Sequence, residues 1–174
     1  MVMNKSSLDI IVEEEAWKTK FDDVEDQAYS VLQASLSFLN ENDLGFEGWD
    51  NKSVVIGLSL SNNDAVQKLN FEFRGKDKPT NVLSFANIDD ECFENEFLAE
   101  DVIELGDIIM AIETLEDEAN IKGISLKAHF SHLLVHGILH LFGYDHQDDD
   151  EADEMESIEI DILKNLGIVN PYEE

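Results

Sequence analysis

Cysteine is nearly missing from this chain of 174 residues. The single thiol, Cys92, excludes an internal disulfide and any zinc site built from several cysteines. Basic residues are scarce too: 11 Lys and Arg stand against 40 Asp and Glu, a net charge of −29. So acidic a surface repels nucleic acid as a whole, since polyanion binding is driven by basic patches. No apolar run is long enough to span a bilayer, and the opening residues, MVMNKSSLDIIVEEE, lack the apolar core of a signal peptide. The expectation is a cytoplasmic protein without disulfides or membrane contact, with residues 1–174 forming one domain large enough for a real core.

What is present is a concentration of histidine late in the chain. The stretch Ser125–Phe142 is the longest proline-free, helix-like apolar run, and His136 and His140 lie four residues apart in it. On a helix that spacing puts two imidazoles side by side on one face. Gly143 follows as a helix-ending residue able to turn the chain sharply. Tyr144 and Asp145 then lead to a third imidazole, His146. Three histidines with an open fourth position are the ligand set of a catalytic rather than a structural zinc site. The pattern H-x-x-x-H-x-x-G-x-x-H equals the metzincin protease signature except directly after the first His, where those proteases carry the general base Glu and this chain has Gly137. His132 lies four residues before His136, but three imidazoles at that interval spread along the axis by about 6 Å each. His132 is therefore expected behind the ligands or in the core, and His129 in the core or at the surface.

The remaining segments read in order as a strand at 8–14, a helix at 22–41, a loop through 51, and a strand at Ser53–Leu60. A helix follows from the capping residues Ser61–Asp64 to Arg74-Gly75, then a loop at Lys76–Thr80 and a strand at Asn81–Phe85. Residues 87–104, acidic with scattered aromatics, read as a surface loop or flexible flap. Leu105–Ile112 reads as a strand, Glu113–Ala119 as a short helix, Glu151–Leu166 as a last helix with Met155 in its core stripe, and Asn170–Glu174 as a tail. The order βαβαββααα predicts an α+β fold. Its mixed four-stranded sheet has a parallel pair from the opening βαβ unit, an antiparallel β3–β4 pair, and the metal-binding helix as the most buried helix.

The run His136-Gly-Ile-Leu-His-Leu-Phe-Gly-Tyr-Asp-His146 resembles the bacterial YbeY family of metal-dependent endoribonucleases, which act in ribosomal RNA maturation. A second signature is similar as well: Phe73-Arg-Gly-Lys-Asp-Lys-Pro-Thr-Asn-Val-Leu-Ser-Phe85. Leu105-Gly-Asp-Ile-Ile and the acidic stretch Asp148–Glu156 are a weaker third match. Ala86 stands where the family commonly has Pro, and Asn81 where many members have Asp. The resemblance implies His136, His140 and His146 as ligands of one Zn2+ per chain, and Arg74 as the residue facing substrate. It also implies single-stranded ribosomal RNA, small-subunit rRNA maturation and ribosome quality control as substrate and setting. A ribosomal protein or assembly factor is the kind of partner that would recruit so acidic a chain.

The residues fit phosphodiester hydrolysis, in which charge builds on phosphate oxygens. A guanidinium grips phosphate with two hydrogen bonds, so Arg74 is the natural partner of the metal, although a salt bridge on an acidic surface is its plain structural role. Arg74, Lys76 and Lys78 fall within five residues, and the two lysines are candidates for neighbouring phosphates. Asp145, beside a ligand, either fixes an imidazole's tautomer or caps the turn. Two rivals remain at this level. A metal-dependent protease or amidase shares the cage but lacks the Glu base. A non-catalytic assembly factor would use zinc only to brace the helix and turn.

Overall fold

The computed structural model describes residues 6–173. Four strands form one sheet in the order β1-β2-β4-β3: β1 (Ser7–Val12), β2 (Ser53–Ser61), β3 (Val82–Ala86) and β4 (Val102–Ala111). β2 runs parallel to β1 and β4, and β3 runs antiparallel to β4 as an edge strand. The mixed sheet and both pairings agree with the expectation. So does the α+β class.

Two helices, α2 (Val24–Glu41) and α6 (Leu126–Leu141), cover one face of the sheet, and α7 (Asp149–Asn165) packs against both of them. Each begins with a side chain that accepts a backbone N–H: Asp23 for α2, Ser125 for α6 and Asp148 for α7. Between His129 and Phe142 every residue of the α6 segment is buried except His136 and His140. A stretch of helix apolar on nearly all sides must be enclosed on all sides, and the two imidazoles are the only windows of that stretch, the first turn Leu126–Ala128 being partly exposed. At the closest point, α6 approaches the sheet through Gly137, where a Cβ would lie 3.0 Å from Ile108 Cδ1 and 3.1 Å from Ser84 Oγ. The other face carries α3 (Asn63–Arg74), with a smaller apolar cluster of Val66, Leu83, Ile109 and Ala111, while α5 (Ile112–Lys122) packs against α6 and puts Ile112 and Leu115 into the main core.

Two short helices depart from the expected order. α1 (Ala16–Lys20) buries Trp17, whose indole N–H donates to the Ser61 carbonyl at 2.8 Å. α4 (Phe93–Ala99), preceded by a helical turn at Asn87–Asp89, lies inside the segment expected to be a loop or flap. Phe93 and Phe97 are four residues apart, hence on one face, and both pack edge-on against Phe46 at centroid distances of 5.7 and 5.6 Å. Phe46 in turn stacks on Phe142 at the end of α6. The acids of this segment point outward around an aromatic anchor. β4 also starts three residues earlier than expected, at Val102. Of the expected tail, Glu174 lies outside the described residues.

Candidate metal centre and substrate cleft

The turn after α6 is built as its glycine suggests. Gly143 has φ +97°, its N–H donates to the His140 carbonyl at 3.0 Å, and the Tyr144 N–H donates to the Leu139 carbonyl at 3.1 Å. The chain thereby reverses and places His146 beside the two helical histidines. One ring nitrogen from each of His136, His140 and His146 lies within 4.8 Å of the others. Asp145 serves this turn directly, its carboxylate accepting the His146 N–H at 2.8 Å.

The rings are oriented from behind. The His140 Nδ1 faces the Tyr144 carbonyl at 2.9 Å, so it carries the proton and leaves Nε2 as a lone pair. The His136 Nδ1 lies 3.3 Å from Glu159 Oε1, which selects the same tautomer. The two free Nε2 atoms then face each other at 3.0 Å, near the ~3.3 Å that two nitrogens keep on one tetrahedral zinc. Burial and the adjacent His136 hold the His140 pKa below the usual imidazole range, so its ring stays neutral as a ligand must be. This donor set fits a metal ion with imidazole preference, and the residues expected from the sequence are brought together.

Glu159 is the residue that sequence reading missed. It is fully buried on α7, where Oε1 contacts His132 Nε2 at 2.8 Å as well as His136, and both carboxylate oxygens accept from the Tyr172 hydroxyl. Burial alone would raise its pKa, but the imidazoles of His132 and His136 outweigh that and hold it at about 2. Its signal was an acid set in the stripe Met155, Ile158, Ile162, Leu163, at a position only a partnered charge could occupy. His132 stands behind His136 and shares Glu159 Oε1 with it. His129 is buried and pairs with Glu118 at 3.0 Å, while Asn81 Nδ2 donates to the same carboxylate at 3.0 Å. An Asp at position 81 would set two carboxylates against each other, so Asn81 suits this chain's Glu118.

The histidines open into a cleft of about 710 Å³ whose lining includes Arg74, Lys76, Lys78, Thr80, Asn81, Ser84, His132 and Tyr172. Three of the chain's 11 cationic residues therefore meet at the imidazole cluster. Arg74 pairs with no carboxylate among the described residues. Its guanidinium donates to the Ser84 carbonyl at 3.1 Å and lies over the Phe85 ring.

Residues 10–167 match the family model described as Endoribonuclease YbeY. A relative named Endoribonuclease YbeY from Paramagnetospirillum magneticum is 51% identical over 121 residues, covering 70% of this chain and 73% of its own. One from Sphingopyxis alaskensis is 50% identical over 120 residues, covering 68% and 71%. A third, from Francisella tularensis subsp. novicida, is 46% identical over 119 residues, covering 67% and 70%. A Thermotoga maritima protein solved in solution shares the fold, with a TM-score of 0.53 at 19% identity, covering 96% of this chain and 99% of its own.

Proposed function

The chain belongs to the endoribonuclease YbeY family, and from that premise we propose that it is a zinc-dependent, single-strand-specific endoribonuclease. It acts in ribosomal RNA processing, in small-subunit rRNA maturation and ribosome quality control. The observation that carries this reading is the cleft itself, in which three convergent imidazoles share one wall system with Arg74, Lys76 and Lys78 in an otherwise acidic protein. His136, His140 and His146 hold the ion. When bound, zinc polarises a phosphoryl oxygen and makes water a nucleophile near neutral pH.

The chain's own residues supply the rest. Glu159 and the Tyr144 carbonyl fix the two helical imidazoles in the neutral tautomer with Nε2 forward. Arg74 grips the scissile phosphate, and Lys76 and Lys78 hold its neighbours. Asp145 is committed to the turn by its bond to the His146 N–H and serves geometry, not proton transfer. Gly137 has no side chain to act as a base.

The setting is the cytoplasm, consistent with an unpaired, exposed Cys92 and with the absence of any helix among the described residues long and apolar enough to cross a membrane. A basic ribosomal protein or assembly factor recruits the acidic chain to the ribosome, and a pull-down at physiological salt that yields no basic partner would count against that recruitment.

The test is cleavage of a single-stranded ribosomal RNA fragment by the wild type beside Arg74→Ala and His146→Ala, purified identically. Loss in both variants, with circular dichroism unchanged, supports the reading. Equal cleavage by all three exposes a contaminating nuclease. A folded, zinc-loaded wild type that leaves the RNA intact favours the non-catalytic assembly role.

A further inference from the structure

Glu159 has two carboxylate oxygens but only one of them faces the histidines. Oε1 contacts His132, His136 and, at 3.1 Å, the Tyr172 hydroxyl, which also lies 3.2 Å from His132 Nε2, whereas that hydroxyl, at 3.0 Å, is the sole partner of Oε2 among the described residues. The side chain is entirely buried, so no bulk water can take that place. A buried carboxylate oxygen without a donor is strongly unfavourable. Tyr172 reaches this position from the segment after α7. That segment turns back at Asn170, whose side-chain oxygen accepts the Tyr172 N–H at 2.8 Å. The Tyr172 ring then packs edge-on against His132 at 5.3 Å, and its other side lines the cleft.

We infer that Tyr172 is a positioning residue of the metal centre: its hydroxyl fixes the plane of Glu159, and through Glu159 the orientation of His136. The inference rests on the reading of His136, His140 and His146 as the metal site. The path has two links, Tyr172 hydroxyl to Glu159 and Glu159 to His136 Nδ1, with Nε2 on the far side of the ring. Losing the hydroxyl leaves Oε2 without a donor and the carboxylate held through Oε1 alone, so its hold on the His136 Nδ1, at 3.3 Å, loosens. Supports of this kind shift metal affinity by roughly 10–100-fold when removed. Tyr172 acts one step further back, so a loss of about tenfold is expected.

The experiment is zinc affinity by competition with a chromophoric chelator. It compares the full chain, Tyr172→Phe, Glu159→Ala and the double variant, with a thermal melt of each metal-free protein. The expected result is about tenfold weaker zinc binding in Tyr172→Phe, a larger loss in Glu159→Ala, and no further loss in the double variant, because a residue acting only through Glu159 has nothing left to act on. Equal affinity of Tyr172→Phe and wild type overturns the inference. So does a double variant whose losses add. Should Glu159→Ala fail to fold, Glu159→Gln replaces it. Its amide nitrogen cannot accept the phenol proton, so the Tyr172→Phe loss shrinks if the inference holds, and persists in full if it does not. If wild type itself takes up no zinc, all arms are flat. The metal-site reading then fails, visibly apart from any effect of Tyr172, and the inference falls with it.

Discussion

Placing Glu at position 137 would complete the protease signature, and the structure predicts that it damages the fold without creating a peptidase. Even the first atom of a side chain there would lie 3.0 Å from Ile108 Cδ1, 3.1 Å from Ser84 Oγ and 3.3 Å from Ile108 Cγ2. Carbon contacts are most favourable at about 3.5–4.0 Å, so the helix must lift or Ile108 must leave its rotamer. For Gly137→Ala, a helix-propensity gain of about 1 kcal/mol opposes overpacking of about 1–3 kcal/mol. The net is a loss of about 1 kcal/mol, or roughly 2–4 °C in Tm for a chain of this size. Gly137→Glu adds a carboxylate to the interface of α6 with the sheet, where an uncompensated buried charge costs about 3–5 kcal/mol. Combined with overpacking, that is a large part of the roughly 5–15 kcal/mol that holds a domain together. Thermal melts followed by circular dichroism are expected to show a small drop for Ala. For Glu they should show a drop beyond about 10 °C, or no folded baseline at all. Casein and peptide hydrolysis should be absent in both. A Glu variant that melts like wild type and hydrolyses peptides in a zinc-dependent way would refute the packing argument and revive the protease reading.

Three further outcomes are expected. Chelation should abolish RNA cleavage while leaving the far-ultraviolet circular dichroism of the protein in place, because α6 is held by a buried apolar core; unfolding on chelation would instead favour a purely bracing zinc. In the metal-free protein, Glu159 ionises at about 2 against an ordinary 4.5. A lowered carboxylate adds stability above its unfolded pKa and loses it as pH falls through the folded value. Urea melts should therefore show wild type's advantage over Glu159→Gln, on the order of 3 kcal/mol, shrinking between about pH 4.5 and 2; an advantage constant over that window would contradict the assignment. Phe93→Ala removes a buried ring from the anchor of α4 and should cost about 3 kcal/mol in a chemical melt, whereas a neutral result would mean that 93–99 is the flap its composition suggests.

Much of the centre was legible because its determinants are local. Two histidines at helical spacing followed by a glycine bring three imidazoles together within eleven residues, and hydrogen bonds of the turn do the rest. Two of the sheet's three pairings, β1–β2 and β3–β4, followed from the order of elements, whereas the parallel β2–β4 pairing did not. What escaped depends on distant contacts. Glu159 comes to His136 from another helix, and Tyr172 from beyond it, so no spacing rule links them. α4 was hidden by its own acids: the aromatic pair Phe93 and Phe97 has the helical interval, but its partners Phe46 and Phe142 are remote in sequence. α1 is short and depends on the burial of Trp17 for its existence.

Arg74 is not idle in the structure. It ties the end of α3 to edge strand β3 by taking the Ser84 carbonyl and resting on Phe85. Under the role proposed for Arg74, a phosphate that recruits this guanidinium would draw it off that strand and leave the Ser84 carbonyl without that donor. Phosphate binding and the tie between α3 and the sheet margin would then compete for one side chain.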